Sequence, residues 1–288
     1  MRALAEFVMR GRAQAAIVAL CCWIVPFVGP AVVALVTLRR GLLDGFSVAI
    51  WALLPWIVFS LLDSALVPLA FIYFSIIVVV MGGAEVLRNV NSWPAASMGL
   101  VVLAVTASLV FGSSFDQQSA EFVAAVNEEL KRYAEQSGIE PDDLQTITIW
   151  FVAGMFGFGI VVDALLSLVL ARWWQALLYN PGGFHQEFYS FRLSKTQSLV
   201  VLGFGALLIA QMQTAPWGFL VTVPLLMVAS AVAHGLVANR RLGTPWLVGF
   251  YLLLLFEPTR LVALLVGFFD AWVDYRSRFS RPSAQSRD

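Results

Sequence analysis

AQAAIVALCCWIVPFVGPAVVALVTL, residues 13–38, decides how this chain is read. The stretch carries no charge and is long enough for one membrane-spanning helix, which needs about 20 apolar residues. Pro26, Gly29 and Pro30 interrupt its middle, and proline removes a backbone donor and breaks a helix. Two readings follow. Either the stretch crosses once, or two short apolar segments, 13–25 and 31–38, fold back and return Arg39 and Arg40 beside the N-terminus.

Working outward, apolar runs recur along the whole chain: 46–62, 66–81, 95–111, 147–171, 198–212, 217–237, 245–256 and 261–273. The last two are divided by Glu257-Pro258-Thr259-Arg260, a second break. Hydrophobic residues make up 60% of the chain and charged residues 12%, about half the charged share of a soluble domain, roughly 25%. The expected fold is therefore all-α: a polytopic transmembrane bundle with Pro-broken short or re-entrant segments near both ends and a small external acidic helical insert. The expected layout is an N-terminal membrane half at 1–112, the insert at 113–146, and a C-terminal half at 147–273. A polar loop at 172–197 lies within the C-terminal half, and 274–288 is a tail.

Charge placement chooses between the two readings. Basic residues concentrate on the cytoplasmic side of a membrane protein. With both broken stretches folding back, one side collects Arg2, Arg10, Arg12, Arg39, Arg40, Arg88, Arg172, Arg192, Lys195, Arg240, Arg241, Arg276, Arg278, Arg281 and Arg287. That is all of the 18 Lys and Arg except Lys131, Arg132 and Arg260. A single crossing would put Arg39 and Arg40 outside or invert every later loop. The expectation is a bacterial inner-membrane protein, embedded in the lipid bilayer, with both termini cytoplasmic.

Residues 113–146 break the apolar pattern. Ser113 and Asp116 have capping-box spacing, and Phe122, Val126, Leu130 and Tyr133 form one helical stripe. Ser137 and Gly138 end it, and Pro141, Asp142 and Asp143 suit the first turn of a further helix. The acids are Asp116, Glu121, Glu128, Glu129, Glu135, Glu140, Asp142 and Asp143, against Lys131 and Arg132 alone. An external cap over the bundle mouth fits this better than a partner-binding helix.

A net charge of zero argues against a nucleic-acid partner. Adjacent Cys21 and Cys22 fit neither a disulfide framework nor a CxxC site. Arg2, Arg10 and Arg12 before an apolar run resemble a signal peptide, but no small-residue cleavage site precedes Pro26 and Leu20 does not suit a lipoprotein signal, so the segment is expected to be retained.

Three places carry candidate chemistry. Glu257 and Arg260 bring a carboxylate and a guanidinium to a helix break, the kind of place where transporters build sites; the plain alternative is a solvated turn. A pocket between this break and the Pro26–Pro30 break is the geometry expected. Asp163, inside an apolar span, costs about 3 kcal/mol at mid-membrane unless paired, so it couples protons, as a member of that ligand site, or hydrogen-bonds a neighbouring helix. The loop RWWQALLYNPGGFHQEFYSFRLSKTQ, 172–197, sets Trp173 and Trp174 as an interfacial aromatic belt. Within it Asn180, Gly182 and Gly183 form a turn, followed by Phe184, His185 and Glu187. His185 and Glu187 alone do not make a metal site, and His234 is distant in sequence. No catalytic constellation and no cofactor motif is visible; an intramembrane enzyme is the third reading behind a solute-binding protein and a scaffold recruiting a partner through 172–197.

MRALAEFVMRGRAQA at the N-terminus, LRRG at 38–41 and NPGGFHQEFYSFRL at 180–193 resemble the YybS-like family of predicted bacterial membrane proteins. The acidic insert lies outside the resemblance. That family is distantly similar to the S components of energy-coupling-factor vitamin transporters. The resemblance implies capture of a small solute within the bundle, with a transmembrane T subunit and cytoplasmic ATPases driving release. S components dock through small residues spaced by four on the first helix, which the resemblance places at Ala15 and Ala19.

Overall fold

The computed structural model describes residues 1–114, 116–137 and 147–275. Pro141, Asp142, Asp143 and most of the basic tail lie outside the described residues. The described residues form helices joined by turns, with no strand among them. Helices α1 (Arg2–Arg10) and α2 (Arg12–Cys21) lead into a turn over residues 22–27, and α3 (Val28–Arg40) returns. Then come α4 (Leu42–Leu62), α5 (Val67–Val90), α6 (Trp93–Ser114) and α7 (Asp116–Ser137). Five segments are long and apolar enough to cross a membrane, among them Ile149–Tyr179 and Met212–Asn239. This is a multi-pass membrane protein.

The hairpin of α2 and α3 follows from its prolines. Pro26 sits in the turn, and Pro30 falls in the first turn of α3, where no intrahelical N–H is needed. The return is fixed at its far end: Arg40 Nη2 donates to the Met9 carbonyl at 3.0 Å, and Arg12 pairs with Asp44. Phe27 takes a left-handed conformation, φ 65°. Its carbonyl lies 3.2 Å from Ser167 Oγ, so a neighbouring helix helps to satisfy backbone freed by the break, the condition for irregular backbone at membrane depth. A helix apolar on every side belongs in a core. Accordingly α3 is buried continuously from Gly29 to Leu38, packed among α2, α4, α5 and α8 (Ile149–Tyr179).

The second break is built by the same rule and ends differently. Helix α12 (Pro245–Leu253) and α13 (Glu257–Val273) meet at a 109° bend, with Pro258 in the first turn of α13. Helix α13 packs on α10 (Lys195–Ile209) and α11 (Ala215–Asn239). Helix α12 buries none of its residues.

Contacts between loops show which ends share a side. Arg39 stacks 3.8 Å over the Tyr179 ring at the end of α8. Arg172 reaches Asn91 at 3.3 Å. Arg192 pairs with the fully buried Asp270 at 3.3 Å and also with Asp274. One end of the bundle thus gathers Arg12, Arg39, Arg40, Arg172 and Arg192. The opposite end carries α7, where Asn127 both donates to and accepts from the Ile147 backbone at 2.9 and 2.7 Å.

Some boundaries differ from the sequence reading. Helix α6 runs on to Ser114, and Ser113 donates back to the Val110 carbonyl at 3.0 Å instead of capping α7. Helix α5 continues to Val90, through Arg88 and Asn89. Most of all, α8 extends through Arg172 to Tyr179, so the polar loop is shorter than 172–197. At 31 residues and 1.5 Å per residue, α8 is roughly 46 Å long and outruns a hydrocarbon core of about 30 Å.

Candidate functional site

Beyond Tyr179 the chain turns at Asn180-Pro181-Gly182, with Gly182 at φ +87°, a conformation suited to glycine. Helix α9 (Gly183–Tyr189) then folds back onto the bundle. Ser194 starts α10 with a full capping box to Gln197. Phe188, Phe191 and Leu193 are buried, so the apolar side chains of this loop anchor it to the core.

Arg172 fixes the polar side of α9. Its Nε and Nη2 donate to the two Glu187 oxygens at 2.9 and 2.7 Å, and Nη1 donates to Gln175 at 2.7 Å. Such a two-pronged pair is oriented as well as attractive. A polar cavity of about 180 Å³ lies here, walled by Arg39, Arg172, Tyr179, Asn180 and Glu187. Glu187 is therefore a structural ion partner, turned away from His185.

The other side of α9 roofs a cavity of about 330 Å³ among α8, α9, α11 and α12. Leu166, Val169 and Leu170 on α8 form one wall; Trp173, Phe184 and Phe188 follow, and His185, Tyr189, His234 and Tyr251 supply the polar groups. His185 and His234 are the only histidines in the chain. His234 Nε2 and Tyr251 Oη share a hydrogen bond of 2.9 Å whose direction follows the tautomer. The Phe188 ring stands edge-on to His234 at 5.4 Å, and His185 meets Tyr189 at 5.8 Å. An apolar chamber with a few convergent polar groups is the usual form of a ligand site. No set of three or more metal-ligating side chains exists among the described residues.

A larger groove of about 440 Å³ runs between α2 and α4 past Ala13, Ala16, Ile17, Leu20 and Trp51. Its polar members are Arg12, already paired with Asp44, and Ser47, whose hydroxyl donates to the Asp44 carbonyl at 2.7 Å. It lacks free converging chemistry.

The remaining expected residues are not brought together. Asp163 Oδ1 lies 3.2 Å from Ser167 Oγ, beside the first break. Tyr73 Oη is buried there without a hydrogen-bond partner among the described residues, and a Cβ on Gly29 would come within 2.6 Å of it. Trp56, stacked at a tilt on Tyr73 at 5.6 Å, and Trp23, 6.0 Å from Trp56, close this region with rings packed on one another.

At the second break Glu257 is exposed, and Arg260 lies 4.1 Å over the Phe219 ring, its Nε without a hydrogen bond among the described residues. The two breaks have different packing partners, α10 and α11 for α13 against α2, α4, α5 and α8 for α3. Glu257, Arg260 and Asp163 line none of the three cavities described above. Ala15 and Ala19 are fully buried within the chain. Of the expected aromatic belt, Trp174 is wholly buried and Trp173 lines the cavity.

The sequence reading names His234 only as distant from His185, and does not join it with Tyr189 and Tyr251 in one site. The available signal was His234 itself, a polar residue near the end of an otherwise apolar span. Comparison with protein-family models, with curated proteins and with solved structures finds no match for this chain.

Proposed function

We propose that this is a solute-binding protein of a bacterial inner membrane, with both termini cytoplasmic, and that the chamber beneath α9 is its binding site. The observation that carries the reading is the meeting of the only two histidines, His185 and His234, with Tyr251 over an apolar chamber of about 330 Å³. The side assignment rests on the cluster of arginines at that end of the bundle together with the positive-inside rule. The resemblance of 180–193 to the YybS-like family favours an S-component-like role, in which a T subunit and ATPases are the partners.

The scaffold alternative needs the loop to offer apolar anchors outward. Phe188, Phe191 and Leu193 point into the core instead, which favours solute binding.

Thermal-shift screening of the detergent-purified protein against vitamins and metabolites tests the reading. Stabilisation by a hit that His234→Phe removes, with the variant still folded, is the expected result. A folded sample that no compound stabilises contradicts it.

A further inference from the structure

We infer that the chamber takes a single-chain amphiphile with an anionic head, admitted sideways from the bilayer between α8 and α12; this rests on the solute-binding reading above. The chamber follows α8 from Leu166 to Trp173, seven residues or roughly 10 Å of helix. Its character changes along that length. Leu166, Val169 and Leu170 line the part further from the basic end, while His185 and Tyr189 stand near that end with Trp173. This gradient matches a hydrocarbon tail lying in the membrane with its head toward the interface.

The side wall is open. Leu166 is 43% and Tyr251 45% exposed, on the two helices that flank the chamber. Helix α12 rests on α11 and buries none of its own residues, so at this depth its free surface meets lipid. A water-soluble solute would have to cover the leucine and valine wall with polar surface, which is unfavourable.

The head-group sign follows from the lining. The ten residues around the chamber include no Asp, Glu, Lys or Arg, and the nearest carboxylate on α9, Glu187, is held by Arg172 on the other face. Neither sign of head group finds a formal counter-charge in this lining, so the groups that hydrogen-bond decide between them. Imidazole and phenol groups offer hydrogen bonds to a carboxylate or phosphate, and such bonds to an ionised acceptor are the stronger kind.

The test uses the full chain in phosphatidylcholine nanodiscs, with diazirine-bearing probes of one chain length carrying a carboxylate, a phosphate, an alcohol or a trimethylammonium head. The two anionic probes, or one of them, should label residues 166–173 or 245–253 saturably, about tenfold more tightly than the alcohol. Labelling by the carboxylate alone points to fatty acids, and by the phosphate alone to phosphorylated lipids; either supports the inference. His185→Ala, at an exposed position, should weaken anionic labelling severalfold and alcohol labelling by clearly less. Leu170→Trp, which fills the chamber, should abolish both.

Equal labelling by all four heads, or labelling confined to other lipid-facing helices, overturns the inference. Carbethoxylation of the two histidines separates the two levels of the account. If a water-soluble compound protects His185 and His234 while no amphiphile labels the chamber, the amphiphile class falls and the site stands. If nothing protects them and nothing labels, both fall.

Discussion

The two broken helices are made by one device and reach opposite fates. In each, an apolar run is interrupted and a proline falls in the first turn of the helix that follows, Pro30 in α3 and Pro258 in α13. Yet α3 is buried continuously from Gly29 to Leu38, whereas α13 buries only Ala263, Leu264, Gly267 and Asp270, and α12 before it buries no residue. The side chains explain the difference. Helix α3 offers Gly29, Ala31, Ala34 and a run of valines, small enough for four helices to close around it. Helix α12 offers Trp246, Phe250 and Tyr251, whose bulk suits a lipid-facing surface and the rim of a chamber. A break packed on all sides becomes a pillar of the core. A break packed on one side leaves space beside it, and the candidate site occupies that space.

The largest contrast comes from truncating a leucine at each break. Leu35→Ala, at a fully buried position, should lower unfolding free energy by about 2 kcal/mol or more through the cavity it leaves. Leu255→Ala, 77% exposed, should stay within about 0.5 kcal/mol. Unfolding in detergent by SDS titration measures both, and equal losses would end the comparison.

Glycine substitutions give the next effect. A Cβ at Gly29 meets Tyr73 Oη at 2.6 Å, while one at Gly249 meets nothing within 4 Å. Gly29→Val should cost about 1–3 kcal/mol by overpacking and Gly249→Val under about 0.5 kcal/mol, read in the same titration.

The smallest contrast concerns single polar contacts. Ser167 Oγ has the Phe27 carbonyl and Asp163 Oδ1 both at 3.2 Å, and its one proton serves one of them at a time. Ser167→Ala should cost about 1 kcal/mol. Arg260→Met loses its place over Phe219 and should cost about 0.5–1 kcal/mol. A loss for Arg260→Met well above that for Ser167→Ala would mean that the second break is held as tightly as the first.

Much of this architecture was legible in the residues. Apolar runs gave the helices, Pro26 and Pro30 gave the first return, and the distribution of arginine gave the gathering of loops at one end. Adjacent tryptophans misled because successive helical residues point about 100° apart: Trp173 faces the chamber and Trp174 the core. The capping-box spacing at Ser113 misled because α6 simply continues through it.

The site was not legible for a topological reason. His185 and His234 meet only because α9 folds back onto the end of α11, and neither local spacing nor hydropathy reports that contact. Nor could the sequence say that Arg172, inside a helix, would hold Glu187 and leave His185 facing the opposite way.

The return of α3 beside α2 is the claim on which the side assignment and the chamber's position depend. Single cysteines replacing Arg10, Leu43, Ser64 and Ser190, in a chain with Cys21 and Cys22 changed to serine, report it through a membrane-impermeant maleimide applied to right-side-out and inverted vesicles. Positions 10, 43 and 190 should label only in inverted vesicles and position 64 only in right-side-out ones. Labelling of positions 10 and 43 from opposite sides would show a single crossing and contradict the account.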